Sequence, residues 1–286
     1  MKANFKSLIL VASVLLFATT ACDVITDPIK EGGIIKPPDS TTVLRKILIE
    51  DFTGHICKNC PEAAKQIKTL EGVYGEQIVG LGIHAGPSNF TGVTSDYPTD
   101  FRTPDGNQIG AFFFGSVSSI ALPSGMISRK DYNGGTSHIK AYSSWPSECA
   151  KLVDSVAHIS IKPTISYNAT SRQVTVDVTV EALKAFLTDL KYVVLVTESG
   201  IVSPQLMPDD TRDTNYVHNH VLRDVFTQAL GDELALSPIT QGQVITKQIT
   251  GTLDADWDEN HCEIIVYVFN ASNYEILQVE VGEVAP

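Results

Sequence analysis

The feature that most constrains the fold of this chain is a pair of cysteines, Cys57 and Cys60, between two apolar segments. Residues 46–54 form an apolar run that predicts a buried strand, and residues 77–84 form a second such run. Between them, residues 61–75 place apolar side chains at the spacing of an amphipathic helix. The sequence therefore predicts a strand–helix–strand unit, with both thiols at the turn where the helix begins.

The predicted position at a helix N-terminus changes the chemistry of a thiol. Free backbone N–H groups and the helix dipole favour a negative charge there, so they lower the pKa of a nearby cysteine. Because the thiolate is the nucleophile in thiol–disulfide exchange, this position predicts that Cys57 and Cys60 form a redox-competent pair.

The segment around the cysteines resembles the thioredoxin superfamily. Thioredoxins carry an Asp-Phe pair six residues before the first cysteine, and Asp51 and Phe52 stand at that offset from Cys57. They also carry a cis-proline that follows a hydrophobic residue and opens the next strand, and Leu122-Pro123 is the candidate for it. The resemblance implies a thioredoxin-like fold in which these side chains meet at one site.

Two departures from the thioredoxin pattern lie in the cysteine loop. Ile56 stands where thioredoxins have a Trp, and Lys58 and Asn59 replace the usual Gly and Pro between the cysteines. These changes bear on the redox potential and on the surface that a partner would meet. The predicted fold does not depend on them.

The pattern of the chain changes near residue 158. Strands and helices alternate over residues 43–157, which is typical of an α/β domain. From residue 158 onward several short segments alternate apolar and polar residues, most strictly from Val174 to Val180. The predicted fold class is therefore an α/β thioredoxin-like domain over 43–157, followed by an all-β immunoglobulin-like sandwich over 158–286.

The N-terminus has the pattern of an export signal. Residues 1–21 combine lysines with a short apolar run, and Cys22 follows a small residue where that run stops. This arrangement resembles a bacterial lipobox and predicts lipidation of Cys22, which would tether the protein to a membrane without spanning it. An ordinary cleaved signal with an incidental cysteine is the other interpretation. Residues 22–42 are predicted to be an extended, mobile tether.

The charge of the chain excludes one class of partner. The formal net charge is −12, whereas nucleic-acid binding requires a basic surface. We therefore predict no nucleic-acid partner, and we predict no cofactor. With 43% hydrophobic residues the chain is able to bury a sizeable core.

Two further cysteines, Cys149 and Cys262, are left from the total of five after Cys22 and the close pair are assigned. In an oxidising compartment they could form a bridge between the two halves of the chain. They could also be separate buried thiols that act as small apolar residues. Sequence spacing does not decide between these two interpretations.

One polar segment contains candidate metal ligands. His218 and His220 stand two residues apart, close to several aspartates, and His and Asp are common metal ligands. Because no third ligand follows at a matching spacing, the pair is a weak candidate. The other interpretation is a polar loop whose histidines bond to the backbone or pack at a junction.

The whole layout resembles a second family. The lipobox, the segment 49–55 ahead of the cysteine pair, the segment 122–126 and the segment 216–223 resemble the outer-membrane lipoproteins of Bacteroidetes related to the twenty-eight-kilodalton outer membrane protein. The resemblance covers nearly all of the mature chain. It implies an outer-membrane location on the periplasmic or surface face, a thioredoxin-like domain and a β-sandwich. It implies no settled activity, although adhesion and receptor roles have been suggested for the family.

The first hypothesis for function is thiol–disulfide exchange with envelope proteins. By the thioredoxin resemblance, Cys57 attacks, Cys60 resolves the mixed disulfide, Asp51 relays a proton and Pro123 shapes the partner's groove. His55 is open between two interpretations, because it would stabilise the thiolate if charged or would simply be exposed.

The second hypothesis is a surface binding or adhesion module. In that case the Cys57–Cys60 link is a structural disulfide, and contacts with envelope or surface proteins and peptides come from residues 84–121 and from the sandwich loops. Likeness of fold is weak support for such a role.

Overall fold

The computed structural model describes residues 42–131 and 138–285. From Val43 onward the chain forms one compact unit. The predicted signal peptide, nearly all of the predicted tether and Cys22 lie outside the described residues. Lipidation of Cys22 therefore stays a prediction.

The described residues contain short helices and many strands. The helices are α1 (Cys60–Tyr74), α2 (Ser88–Thr91), α3 (Pro104–Phe114) and α4 (Trp145–Cys149). The strands are β1 (Ile47–Thr53), β2 (Ile78–His84), β3 (Ser124–Ile127), β4 (Ile139–Ala141), β5 (Ile159–Asn168), β6 (Gln173–Ala182), β7 (Leu190–Glu198), β8 (Ile201–Val202), β9 (Gln205–Leu206), β10 (Arg212–Asp213), β11 (Val217–His218), β12 (Val221–Val225), β13 (Asp232–Ala235), β14 (Val244–Thr252), β15 (Cys262–Asn270) and β16 (Ile276–Glu283).

Within the described part of the chain, the main sheet has nine strands. Its order is β16-β15-β7-β12-β2-β1-β3-β4, and β13 also pairs with β7. Strands β1 and β2 run parallel, from Ile47 opposite Ile78 to Thr53 opposite His84. Strand β12 lies between β2 and β7, where Val221 pairs with Gly82 on one side and with Glu198 on the other.

A second, three-stranded sheet has the order β14-β6-β5 and packs over one end of the main sheet. The predicted alternation in β6 is confirmed, because its valines at 174, 176, 178 and 180 are all at most 1% exposed. They share a core with Val194, Val196, Ile264 and Val266 of the main sheet.

Strand β1 is covered on both faces, which explains its unbroken apolar sequence. On one face Ile47 and Ile49 pack against Ala63, Ile67 and Leu70 of α1. The opposite face shares a second core with α3 and with the C-terminal strands, and its residues include Leu48, Phe52, Ile83, Ile109, Tyr267 and Phe269. The strands and helix predicted around the cysteines are confirmed by these elements.

The predicted fold class is wrong. Strands are far more numerous than helices, and the chain is not divided into an α/β thioredoxin-like domain and an immunoglobulin-like sandwich. One sheet instead contains β1–β4 together with β7, β12, β13, β15 and β16. The physical reason is that β12 satisfies the backbone groups along the edge of β2, which an isolated domain would leave open. This pairing joins residues about 140 positions apart, so local periodicity carries no sign of it.

A buried ion pair fixes β1 against the C-terminal strands. The Arg129 guanidinium donates to both carboxylate oxygens of Glu50, at 2.8 and 2.6 Å, and also to the Tyr267 hydroxyl oxygen at 2.9 Å. Both side chains of the pair are fully buried. The guanidinium carbon also lies 5.1 Å from the ring centre of Phe113 and 5.6 Å from that of Phe269. Each charge is therefore stabilised only while the other is present.

Removing the cation should strongly destabilise the fold. We expect Arg129→Met to lower the free energy of unfolding by about 3 to 5 kcal/mol, because Glu50 is left charged and buried. The double variant Glu50→Leu/Arg129→Met should regain most of that loss. Arg102→Met, at an exposed ion pair with Asp100, is the control and should change stability by less than about 1 kcal/mol. Urea unfolding curves measure the stability of all three variants. Equal losses in the two Arg→Met variants would contradict the role assigned to Arg129.

Candidate functional site

The cysteine pair lies where the sequence predicts it. Cys57 and Cys60 form a disulfide bond, and Cys60 is the first residue of α1. Their side chains are buried, at 3% and 2% exposed, whereas the intervening Lys58 and Asn59 are exposed. The loop is closed by backbone hydrogen bonds from Cys57 to Gly54 and from Cys60 to Cys57, both 3.1 Å long.

Asp51 is a buried carboxyl group beside this loop. It lies in β1, is 2% exposed, and its Oδ1 has no hydrogen-bond partner among the described residues. Burial raises the pKa of Asp51 to about 8, because a carboxylate is poorly solvated there. Asp51 is therefore mostly protonated at neutral pH and is able to exchange a proton near that pH.

Pro123 lies next to the same stretch of β1. The Leu122–Pro123 peptide bond is cis, and the following residue, Ser124, pairs with Phe52. Gly125 in turn pairs with Asp51. The structure thus places Pro123 immediately before β3, the strand that pairs with β1 at Asp51, while the catalytic roles assigned to both residues stay predictions.

A long segment that leaves the main sheet covers one side of the cysteine loop. Residues 199–220, here called the arm, leave the sheet after β7 and return at β12; they form two small ribbons, β8 with β11 and β9 with β10. The Leu206 N–H donates to the His55 carbonyl at 2.9 Å, and the Gln205 side chain donates to the Cys57 carbonyl at 3.1 Å. The arm therefore holds the loop at two backbone carbonyls, one of which accepts from an arm backbone N–H and the other from the Gln205 side chain.

The predicted insertion, residues 84–121, covers the other side. The Ile56 N–H donates to the Phe90 carbonyl at 2.9 Å, and the arm contacts the insertion through a hydrogen bond from Ser203 to Thr99 and an ion pair between Arg212 and Asp96. The arm and the insertion, which are far apart in sequence, therefore bury the two sulfurs together.

Three buried histidines lie behind the loop. The ring of His84 is 6.3 Å from that of His55 and 5.7 Å from that of His218, and Phe101 contacts His84 and His218 at 4.6 Å. Burial lowers the pKa of all three, to about 4 for His218, and the proximity of the other two rings lowers the pKa of His84 further. All three rings are therefore neutral at neutral pH.

His55 fits neither of its predicted roles. Its side chain is 1% exposed, and its Nε2–H donates to the Gly92 carbonyl at 2.9 Å. The ring stacks on Tyr97. Because burial lowers its pKa, it is neither an exposed group nor a cation able to stabilise a thiolate. Sequence reasoning missed this cluster, since His55 and His84 end separate segments and carry no spacing signal.

The two candidate metal ligands point to different neighbours. His218 Nε2–H donates to the Ser203 carbonyl at 3.2 Å, whereas His220 Nε2 lies 3.3 Å from a carboxylate oxygen of Glu71. Within residues 42–131 and 138–285, no group of three His, Cys, Asp or Glu side chains is arranged to hold a metal ion. The interpretation as a histidine that bonds to the backbone describes His218, whereas the His220 ring faces a carboxylate.

Cys149 and Cys262 do not form a bridge. Both are free and buried, in separate cores. Burial raises the pKa of each to about 12, so both remain thiols at neutral pH. Of the two interpretations, the one as separate buried thiols is confirmed.

A cleft of about 590 Å³ lies between α1 and the arm. Its lining includes two groups already described as buried, Asp51 and His84, together with Cys60. The His84 Nδ1 atom, like Asp51 Oδ1, has no hydrogen-bond partner among the described residues. The walls come from one face of the helix and from the arm: Pro61, Ala64, Lys65, Lys68 and Glu71 on one side, and Met207, Tyr216, Val217, Asn219 and His220 on the other.

Comparison with known proteins identifies the family. The model of the outer membrane protein Omp28 family matches residues 116–285. The chain belongs to the Omp28 outer membrane protein family. Its location is therefore the outer membrane, as the sequence predicted, and within the described residues no helix is long and apolar enough to cross a bilayer. The match includes the arm and β12 but not the cysteine pair, so membership leaves the chemistry of the disulfide undefined.

Solved structures add information on the fold alone. A crystal structure of a protein from Agrobacterium tumefaciens is 13% identical, covers 85% of this chain and 96% of its own, and has a TM-score of 0.50. A domain of the outer membrane lipoprotein Omp28 from Porphyromonas gingivalis is 16% identical, covers 46% of this chain and 90% of its own, and has a TM-score of 0.32. No curated protein matches the chain.

The buried carboxyl of Asp51 should give stability a distinct pH dependence. Its pKa is raised in the folded protein, so the folded chain keeps a proton that the unfolded chain has lost. The free energy of unfolding therefore falls as the pH rises from the unfolded pKa near 4 to the folded pKa of about 8. Asp51→Asn lacks this proton. We expect its free energy of unfolding, relative to that of the parent, to increase by roughly 2 to 5 kcal/mol between pH 4 and 8. Urea unfolding of the oxidised proteins measures this difference, and a constant difference between pH 4 and 8 would place Asp51 in water.

The lowered pKa of His218 predicts the opposite dependence of stability on pH. Because its folded pKa is lowered to about 4, stability is lost as the pH falls from about 6.5 to 4, when the unfolded chain binds a proton that the folded one does not. We expect His218→Gln to reduce this loss by roughly 1 to 3 kcal/mol. His261→Gln, at a side chain that is 58% exposed, is the control and should leave the slope nearly unchanged.

Proposed function

We propose that this outer-membrane protein carries out thiol–disulfide exchange at Cys57–Cys60 with proteins of the cell envelope. One observation supports this most strongly: a disulfide in the first turn of α1 shares a cleft with the buried carboxyl of Asp51. The first supplies a nucleophile and its resolving partner. The second supplies a group that binds and releases a proton near neutral pH, since its pKa is about 8.

In the reduced protein, the Cys57 thiolate attacks one sulfur of a partner disulfide. A bond forms between Cys57 and that sulfur, and the other partner sulfur leaves as a thiolate. Cys60 then loses its proton to Asp51, of which the fraction that is ionised near neutral pH is the acceptor, and attacks the Cys57 sulfur, which releases the second partner thiol. The two electrons gained by the partner come from the two cysteines, which end as the disulfide seen in the structure.

Two further residues belong to this proposal. Pro123, which immediately precedes the strand paired with β1 at Asp51, would shape the groove in which the partner chain lies. A lipid on Cys22 would hold the protein at the membrane, within reach of envelope and surface proteins.

The competing proposal is a surface binding or adhesion protein with a structural disulfide. The burial of both sulfurs supports it, as do the hydrogen bonds that hold the loop against the arm. A reactive cysteine is usually partly exposed. Exchange therefore requires the arm to move, whereas a structural disulfide does not.

The redox properties of the purified protein separate the two proposals. For exchange we expect a reduction potential above about −300 mV and a Cys57 thiol with a pKa well below 8.5. Equilibration with thiol–disulfide buffers measures the potential, and the pH dependence of alkylation in Cys60→Ser measures the pKa. A potential below that limit would assign the disulfide a structural role.

The rate of exchange should depend on Asp51. We expect Asp51→Asn to slow insulin reduction at pH 7 by roughly 10- to 100-fold, because Cys60 loses its proton acceptor. Cys149→Ala, which removes a free buried thiol outside the loop, is the matched control and should keep the parent rate. Equal rates in Asp51→Asn and the parent would remove Asp51 from the mechanism.

A further inference from the structure

The two sulfurs of the disulfide differ in what surrounds them. The backbone groups at and next to Cys57 form hydrogen bonds with the arm and with the insertion, through Gln205, Leu206 and Phe90. Cys57 does not line the cleft, whereas Cys60 does. A molecule that enters the cleft therefore meets Cys60 rather than Cys57.

Chemistry also favours attack at Cys60. A disulfide is cleaved faster when the sulfur that leaves has the lower thiol pKa. Attack on Cys60 expels Cys57, which has the lower pKa if the proposed function holds. Attack on Cys57 would instead expel Cys60 as a thiolate beside the unpartnered Asp51, in a buried setting that disfavours charge.

The cleft restricts the size of the molecule. Its volume of about 590 Å³ lies in the range of sites that hold small molecules, and a folded protein does not fit into such a space. The floor offers unpartnered polar atoms of Asp51 and His84, both from buried side chains. Buried polar atoms of this kind are satisfied when a polar ligand binds.

The rim of the cleft carries charges of both signs. Lys65 and Lys68 stand on the same face of α1 as Glu71, and His220 faces them from the arm. Helical residues three and four apart lie side by side, so the two lysines and the glutamate line one edge. A ligand with one carboxylate and one ammonium group matches this edge.

We propose that the cleft binds a low-molecular-weight thiol that carries an amino-acid zwitterion, and that this thiol reduces the disulfide by attack on Cys60. The proposal rests on the proposed redox function and names the reductant for the same site.

The reaction consumes two molecules of the small thiol. The first, as a thiolate, forms a bond to the Cys60 sulfur, the Cys57–Cys60 bond breaks, and Cys57 leaves as a thiolate. The second attacks the sulfur of the bound molecule, which leaves as a small disulfide and releases Cys60. The protons of the two small thiols end on Cys57 and Cys60, with Asp51 as the carrier for Cys60. Two electrons pass from the small thiols to the protein disulfide.

The first test locates the mixed disulfide. The full-length oxidised protein is mixed with L-cysteine and quenched with acid within milliseconds, free thiols are blocked with N-ethylmaleimide, and the chain is digested with trypsin. Cleavage after Lys58 separates the two sulfurs, which then lie on peptides 47–58 and 59–65. We expect the added cysteine on peptide 59–65; its presence on 47–58 would overturn the proposal. A protein with a reduction potential above about −300 mV that does not react with L-cysteine would also overturn this proposal. The proposed redox function would still hold in that case.

The second test closes the cleft. Ala64 lines the cleft, and we expect Ala64→Phe to lower the rate constant for reduction by L-cysteine at least about 10-fold, a loss of roughly 1.4 kcal/mol in transition-state stabilisation. The reduction potential should stay unchanged. Val73→Phe, on the same helix at a side chain that is 66% exposed, is the matched control and should react as the parent does. Parent-like rates in both variants would show that reductants do not use the cleft.

The third test concerns charge. At matched thiolate concentration, we expect L-cysteine to react several-fold faster than 2-mercaptoethanol, which has no zwitterion. Lys68→Gln should remove this preference by slowing the reaction with L-cysteine. Equal rates for the two thiols in the parent protein would exclude a zwitterionic reductant.

Discussion

The pairing of β12 with β2 is the interaction on which the rest of the structure depends. The Gly82 N–H donates to the His220 carbonyl at 2.7 Å, and Val221 pairs with Gly82. This junction makes one sheet from strands that belong to both ends of the chain. It also fixes the two ends of the arm, because the arm begins at β7 and finishes at β12, which are neighbours in the sheet. The cleft and the cover over the cysteine loop follow from that placement.

Burial acts differently on two adjacent acids of β1. Successive side chains of a strand point to opposite faces, so Glu50 and Asp51 meet different surroundings. Glu50 is fully buried but is paired with the Arg129 guanidinium, so it joins β1 to the C-terminal strands. Asp51 has no such cation among the residues that the structure describes, and its pKa rises to about 8. The first acid contributes to stability, and the second is available for proton transfer.

The same lack of solvent keeps the interior of the site neutral. Burial raises the pKa of Asp51 and lowers those of His55, His84 and His218, so all four side chains carry little charge at neutral pH. A site without fixed charge does not favour one protonation state of a sulfur through a neighbouring ion. The N-terminus of α1, where Cys60 is the first residue, is then the main local feature that stabilises a thiolate.

Local patterns in the sequence determined the elements around the disulfide. Apolar runs and helical spacing correctly predicted β1, α1 and β2, the alternating valines predicted β6, and the family resemblance predicted the outer-membrane location. These properties depend on residues close together in the chain. Only tertiary structure decided the strand order of the main sheet, the burial of both sulfurs, the histidine cluster and the cleft. Each requires backbone or side-chain contacts between segments more than 30 residues apart, such as Gln205 with Cys57 or His84 with His218. Periodicity reports which face of an element is apolar, whereas these contacts depend on which element lies against that face.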